Sequence, residues 1–299
     1  ITINSGEGND TITIGAGNVS IDAGAGNDTL KYDIPADLFA SNAAVDSVVG
    51  GDGVDTLLLG ATAGFTIANT DVWSRISDVE VVKSDANSAA VSITLGASAA
   101  VAGITKVDLS LTTATSGNVI DVSAFSASTD TILIGSSATG VVDITGGAGV
   151  DKIIAAAGGG TITGGDGLDI ITLGAGDDIV VLGTTESSFD NIVGFTGGSS
   201  NDIIKLGGAT AAVGDLVSAI DTANGGSAAH AIAFDTAANL GDLGVNIGVA
   251  QTTNTIKYAV ASDTGAIYFD TDGDWTSGAV KIGTIGVVSG LVVGDFTTV

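Results

Sequence analysis

Along much of this chain, aliphatic and polar residues alternate over three to six positions and then give way to glycine. TITI at 11–14 and TIT at 161–163 behave this way. A period of two over so short a run is the pattern of a strand with one buried face, and the glycines with adjoining Asp or Asn supply turns. Set nine to a row, residues 5–31 read SGEGNDTIT, IGAGNVSID and AGAGNDTLK, and residues 146–181 read GGAGVDKII, AAAGGGTIT, GGDGLDIIT and LGAGDDIVV. An isolated GGDGVDTLL occupies 50–58. The chain therefore predicts one loop and one strand per nine residues.

Aligning the eight units shows what each position does. Position four is always glycine: Gly8, Gly17, Gly26, Gly53, Gly149, Gly158, Gly167 and Gly176. This predicts a backbone that bends where a Cβ would clash. Position eight is always aliphatic, from Ile12, Ile21, Leu30 and Leu57 to Ile153, Ile162, Ile171 and Val180. These side chains predict one shared interior, filled by stacked strands. Position six is Asp10, Asp28, Asp55, Asp151, Asp169 and Asp178 in six units, but Val19 and Gly160 in the other two. An aspartate that the stack can lose while keeping its core positions is there to bind something.

A short carboxylate beside exposed glycine carbonyls suits a hard cation. Calcium takes six to eight oxygen ligands and accepts backbone carbonyls, whereas magnesium demands a strict octahedron. With no cysteine and a single histidine, His230, the chain has almost no ligands for zinc or copper. Two units complete one turn, so a cation bridges units n and n+2. Asp10 and Asp28 share one side of the first block; Asp151 and Asp169 share one side of the second, and Gly160 lies with Asp178 on the other. On this reading an aspartate at Gly160 would strengthen a half-built site if the loop tolerates a side chain.

The pattern G-G-x-G-x-D-x-U-x, nearly intact in GGAGVDKII and GGDGLDIIT, resembles the calcium-binding nonapeptide of RTX proteins. The resemblance implies an all-β fold: a right-handed parallel β-roll or β-solenoid with calcium-binding nonapeptide turns and a small β-rich C-terminal cap. It implies Ca²⁺ held by the six aspartates and by carbonyls of Gly6, Gly8, Gly24, Gly26, Gly51, Gly53, Gly147, Gly149, Gly165, Gly167, Gly174 and Gly176. FDNIVGFTGGSSNDIIKL at 189–206 resembles the segment that closes such a roll. The last residues, from GAIYFD onward, resemble the end of RTX chains, where the family carries an uncleaved type I secretion signal. The alternating carboxylates Asp270, Asp272 and Asp274 in DTDGDW mark a separate candidate site.

Four parts are expected: a first repeat block at 1–58 with an excursion at 32–49, a β-rich solenoid section at 59–145, a second roll with its closing segment at 146–206, and a cap at 207–299. Short helices are expected at 70–77 and near 210–223. A hairpin is expected in KYAVASDTGAIYFD, turning at Asp263-Thr264-Gly265. The uncharged stretch 86–105 is long enough to span a bilayer, but Ser, Thr, Asn and Gly dilute it, and it reads as a buried strand pair. The chain opens within a strand pattern and without methionine, so it is expected to be the C-terminal part of a longer protein.

Charge narrows the function. Eight basic residues against 34 acidic ones give −26, which excludes nucleic acid as a partner and direct membrane insertion by attraction to anionic lipid. All but three of the acidic residues are aspartates, the side chain of tight turns and cation loops rather than of general acidity. No HExxH, GxSxG, cysteine nucleophile or phosphate loop is present, so no enzyme is expected in this chain. Asp263-Thr264-Gly265 is better explained as a turn than as a protease triplet.

Two function classes remain. The Ala/Thr/Val/Ser/Gly bias and the long non-repeat β-section resemble bacterial surface (S-) layer sequences. That implies an extracellular, cell-surface structural protein whose partners are copies of itself in a calcium-dependent lattice, cell-surface polysaccharide reached through preceding residues, and the type I secretion apparatus. The alternative is the calcium-dependent secretion and folding module of an extracellular protease or lipase.

Overall fold

The computed structural model describes residues 1–40, 43–44, 46–60, 64–71, 73–85, 89–127, 129–135, 140–184, 187–197, 202–207, 232–235, 258–261, 264–269, 280–286 and 295–298. The backbone winds as a coil whose turns each give one short strand to one wall and one to the opposite wall, and within 1–206 neighbouring wall strands are parallel. One wall is a 13-stranded sheet. It begins Thr11–Ile14, Thr29–Tyr32, Thr56–Leu59, Val81–Ser84 and Lys106–Asp108, and continues through Ile132–Ile134, Lys152–Ile154, Gly167–Thr172 and Ser188–Val193. The other wall comprises a four-stranded and an eight-stranded sheet, running from Thr2–Asn4 to Ile203–Leu206 and Phe296–Thr298. The nonapeptide pattern thus folds as a parallel β-roll.

Register explains the nine-residue clock. Thr11 pairs with Thr29 and Lys152 with Ile170, so one turn there consumes two units. Between the two blocks the turns lengthen, as in Thr56 with Val81 and Ser92 with Val119, while the 13-stranded wall continues unbroken across them. Position-eight side chains from both walls meet in one apolar core. Leu30, Leu57, Ile153, Ile162, Ile171 and Val180 are fully buried, Ile21 nearly so, and Ile12 at the open end of the stack packs partly buried against them. Each such aliphatic group withdraws about 1.5–3 kcal/mol of apolar surface from water. Because a parallel stack repeats the same contact at every turn, inserted loop residues do not interrupt the core.

The position-four glycines are required for two different reasons. Gly26 has φ +140°, and a Cβ on it would land on the carbonyl of Gly8 one turn away. Gly149 has no such φ, but a Cβ there would meet the Thr129 carbonyl. Gly26, Gly53 and Gly167 meet both constraints, Gly149 and Gly176 only the close stacking of loop on loop, and Gly8 and Gly17 only the left-handed backbone.

The excursion after Tyr32 forms a 3₁₀ turn at Pro35–Asp37 and a two-residue-per-strand hairpin, Phe39–Ala40 with Ala43–Ala44. It covers the coil with Leu38 and sets Phe39 5.1 Å from Trp73. The helix expected at 70–77 is absent from the described residues there. Asp71 Oδ2 accepts the Ala68 amide at 2.8 Å, fixing a turn, and Ile76–Ser77 is a strand on Ser47–Asp52. The helix in this region is instead Ala97–Val101, inside the stretch read as a strand pair. Its ASAAV composition favours a helix, and the exposed Val101 and buried Ala99 give it one inward face.

In the cap, Tyr258–Ala261 and Ala266–Phe269 form the expected antiparallel hairpin, with Gly265 at φ +68°. Val280–Thr284 stacks on Ser188–Val193, and Phe296–Thr298 on Ile203–Leu206, so the cap extends both walls. The helix expected near 210–223, His230 and Asp263 lie outside the described residues. Among those described, no helix is long and apolar enough to cross a membrane.

Candidate calcium-binding turns

The position-six aspartates stand where a loop enters a strand, two residues before an inward aliphatic. Four of the carboxylates reach along the stack to the equivalent residue of the preceding turn, while Asp178 Oδ2 instead accepts the Gly174 amide of its own loop at 3.1 Å. Asp28 Oδ1 accepts the Asp10 amide at 2.7 Å, and Asp55 Oδ1 accepts the Asp28 amide at 2.7 Å. In the second block Asp151 Oδ1 accepts the Thr131 amide at 2.8 Å, and Asp169 Oδ1 accepts the Asp151 amide at 2.8 Å. Sequence separations of 18 residues within a block and 27 between Asp28 and Asp55 produce the same geometry. One oxygen of Asp28, Asp55, Asp151 and Asp169 is therefore a structural cap for a neighbouring turn.

The other oxygen separates the aspartates into two groups. Oδ2 of Asp10, Asp28, Asp55 and Asp169 and Oδ1 of Asp178 are buried and accept no hydrogen bond. Asp151 differs: its Oδ2 accepts the Gly147 amide at 2.7 Å, and the Thr131 hydroxyl donates to its Oδ1 at 2.7 Å. A buried carboxylate oxygen without a donor is costly unless a cation faces it. Among the described residues, no three His, Asp or Glu side chains converge as a metal cluster. A cation here must complete its shell with backbone oxygens, as calcium readily does.

The glycines are placed for that role by stacking. Gly24 lies over Gly6, Gly26 over Gly8, Gly51 over Gly24 and Gly53 over Gly26; in the second block Gly165 lies over Gly147, Gly167 over Gly149 and Gly176 over Gly158, while Gly174 lies over Ala156. The Gly6 carbonyl accepts the Ala25 amide at 2.8 Å, and the Gly147 carbonyl that of Asp166 at 3.1 Å. A carbonyl so engaged keeps a second lone pair. Asp270, Asp272 and Asp274 lie outside the described residues.

Burial raises the proton affinity of these carboxyls. Asp178 is pushed up to about 7, chiefly by desolvation, partly offset by the Gly174 amide and reinforced by the charges of Asp202 and Asp177. Desolvation likewise raises Asp55, Asp151, Asp169 and Asp190. Asp108, on the outer face of the 13-stranded wall, goes the other way. Burial opposes its charge, but hydrogen bonds from Ser110 and then Lys83 and Lys106, at 3.4 and 3.5 Å, hold it below the ordinary range.

Four acidic residues outside the nonapeptides join the same stacks. Glu80 Oε2 accepts the Asp55 amide at 2.8 Å, and Asp202 Oδ1 the Asp178 amide at 3.0 Å. Asp190 stands beside Asp169 in register. Asp46, from the excursion, accepts the Val19 amide at 2.8 Å and the Tyr32 hydroxyl at 3.0 Å, capping the second unit as Asp28 caps the first. The nine-residue alignment could not find them, because their turns are longer.

At Gly160 the condition for a strengthened site, a loop that tolerates a side chain, is not met. Gly160 does stand opposite Asp178, but its φ is +156° and a Cβ would meet the Val142 carbonyl. The loop has no room for an aspartate, so the position is a tight crossing and not a vacancy for a ligand.

The family model of the RTX calcium-binding nonapeptide repeat (4 copies) matches residues 4–33, 36–63 and 154–184. The chain carries RTX repeats, which are calcium-binding motifs, and calcium is the ion that they define. Proteins with these repeats are typically secreted. The match extends through most of the excursion and leaves out 146–153. No curated protein and no solved structure matches the chain.

Proposed function

We propose that this chain is a structural component of a bacterial surface layer, folded and linked to its neighbours by calcium bound in the two rolls. The orphaned oxygens of Asp10, Asp28, Asp55, Asp169 and Asp178, with stacked glycine carbonyls, are the ligands we assign. Asp151 serves as a protein-satisfied cap. The supporting observation is the continuous 13-stranded wall: through it the section between the rolls stacks on both of them, so calcium sites near either end belong to one stack. A chain with net charge −26 repels its copies until divalent cations intervene, which gives calcium a second role between chains. The chain acts as a scaffold and not as a catalyst.

The test is calcium titration followed by light scattering and electron microscopy, beside sodium chloride at matched ionic strength. Ordered oligomers or sheets are expected with calcium alone. A chain that folds with calcium yet stays monomeric at millimolar calcium would refute the lattice and favour a folding module attached to an extracellular enzyme.

A further inference from the structure

Asp190 lies in the closing segment, outside the nonapeptides and outside the matched repeats. It is 1% exposed, and its neighbour in register, Asp169, is fully buried. Asp190 Oδ1 and Asp169 Oδ2 accept no hydrogen bond. The two oxygens converge: a Cβ built on Gly164 would lie against Asp169 Oδ2 and 2.6 Å from Asp190 Oδ1. No Lys or Arg among the described residues pairs with either carboxylate. Two buried, donorless carboxylate oxygens flanking a glycine that presents no side chain form a pocket for a small hard cation.

We infer that Asp169 and Asp190 together hold a calcium ion that fastens the closing segment Ser188–Val193 onto the last nonapeptide turn. This rests on the reading of the rolls as calcium-loaded, and adds a site whose second carboxylate no nonapeptide supplies. The longer turn, from Asp169 to Asp190, keeps the register while changing the loop, so the carboxylate pair survives where the repeat ends. Val280–Thr284 stacks on the same closing strand, with Asp190 opposite Gly283. Calcium at this pair therefore also determines how firmly the cap sits on the coil.

The full chain, wild type and Asp190→Asn, is titrated with calcium by calorimetry, and amide hydrogen exchange is followed over 188–193 and 280–284. Asparagine keeps the shape and removes the charge, so the variant folds even if Asp190→Ala does not. The expected result is a stoichiometry lower by one ion, with calcium-dependent protection lost in both segments and retained in 11–32. An Asp190→Asn chain that binds as many ions as wild type and gains the same protection overturns the site while leaving the calcium-loaded rolls intact. A wild-type chain that binds no calcium overturns both.

Discussion

The raised carboxyls should make the metal-free protein more stable in mild acid than at neutral pH. Asp178 shows how large the effect is. Its proton affinity rises from an ordinary 3.8 to about 7, so the folded chain holds a proton that the unfolded chain has released. The stabilisation is fully present below the unfolded value and is lost as pH climbs through about 7. At 1.36 kcal/mol per pKa unit the ceiling is about 4 kcal/mol, and discounting for solvent near the loop leaves roughly 2 kcal/mol. Asp55, Asp151, Asp169 and Asp190 shift in the same direction, and Asp108 opposes them. Urea denaturation of exhaustively dialysed protein at pH 4.5, 5.5, 6.5 and 7.5 measures the slope. Asp178→Asn should flatten it by roughly 2 kcal/mol over that range, which separates this carboxyl from the general relief of charge repulsion. Calcium should reverse the trend, because it binds the deprotonated form. Metal-free stability that rises with pH, or an Asp178→Asn slope equal to wild type, would refute the reasoning.

Three further outcomes are expected. At tenfold to hundredfold excess over a dissociation constant in the extracellular range of about 0.1–1 mM, calcium should add about 1–3 kcal/mol per site by mass action; a thermal melt unchanged by chelator at pH 7.5 would contradict this. Gly26→Ala should cost more than about 1 kcal/mol, because the left-handed φ and the Gly8 carbonyl both oppose a Cβ, while Gly15→Ala, with open space around it, should stay within about 0.5 kcal/mol in urea titration. In calcium calorimetry, Asp169→Asn should lose affinity and Asp166→Asn should not, because Asp166 is exposed and is reached only by the Ser187 hydroxyl at 3.4 Å.

The roll was legible because its period is local: nine residues set loop and strand, and the 18-residue recurrence of Asp10 with Asp28 and of Asp151 with Asp169 gave the register of the turns. The longer turns hid their members from the same alignment. Glu80, Asp190 and Asp202 keep the spacing that matters, an acidic residue two places before an inward aliphatic, here Val82, Ile192 and Ile204. That signal does not depend on repeat length, and Asp46 before Val48 carries it too. Partners for the second oxygen could not be read in the same way. Asp151 belongs to one of the two best-matching units, yet Thr131, from a turn with no nonapeptide, hydrogen-bonds to it. Gly160 looked replaceable because the alignment reports which residue is missing and not how closely Val142 approaches.

These carboxylates divide the coil by what each requires. Orphaned buried oxygens occur at Asp10, Asp28 and Asp55 and again at Asp169, Asp178 and Asp190. Between them no described aspartate keeps a buried oxygen without a donor, although Trp73 Nε1 there lacks an acceptor. Asn118 takes the position-six place, accepting the Val91 amide at 3.1 Å and donating to the Ala114 and Val141 carbonyls at 3.0 Å each. Asp108 is paired with two lysines. An amide has both donors and acceptors, so it closes a buried turn without a metal, whereas a carboxylate only accepts and leaves an oxygen over. The middle of the coil thus has the composition of a section that can fold without calcium, while the turns on either side carry charge that only a proton or a cation can offset. Such a chain would remain loose at both rolls where calcium is scarce and tighten onto an existing centre where it is plentiful. On the proposed reading, the placement of aspartate against asparagine and threonine, more than the strands themselves, is what would make folding responsive to calcium.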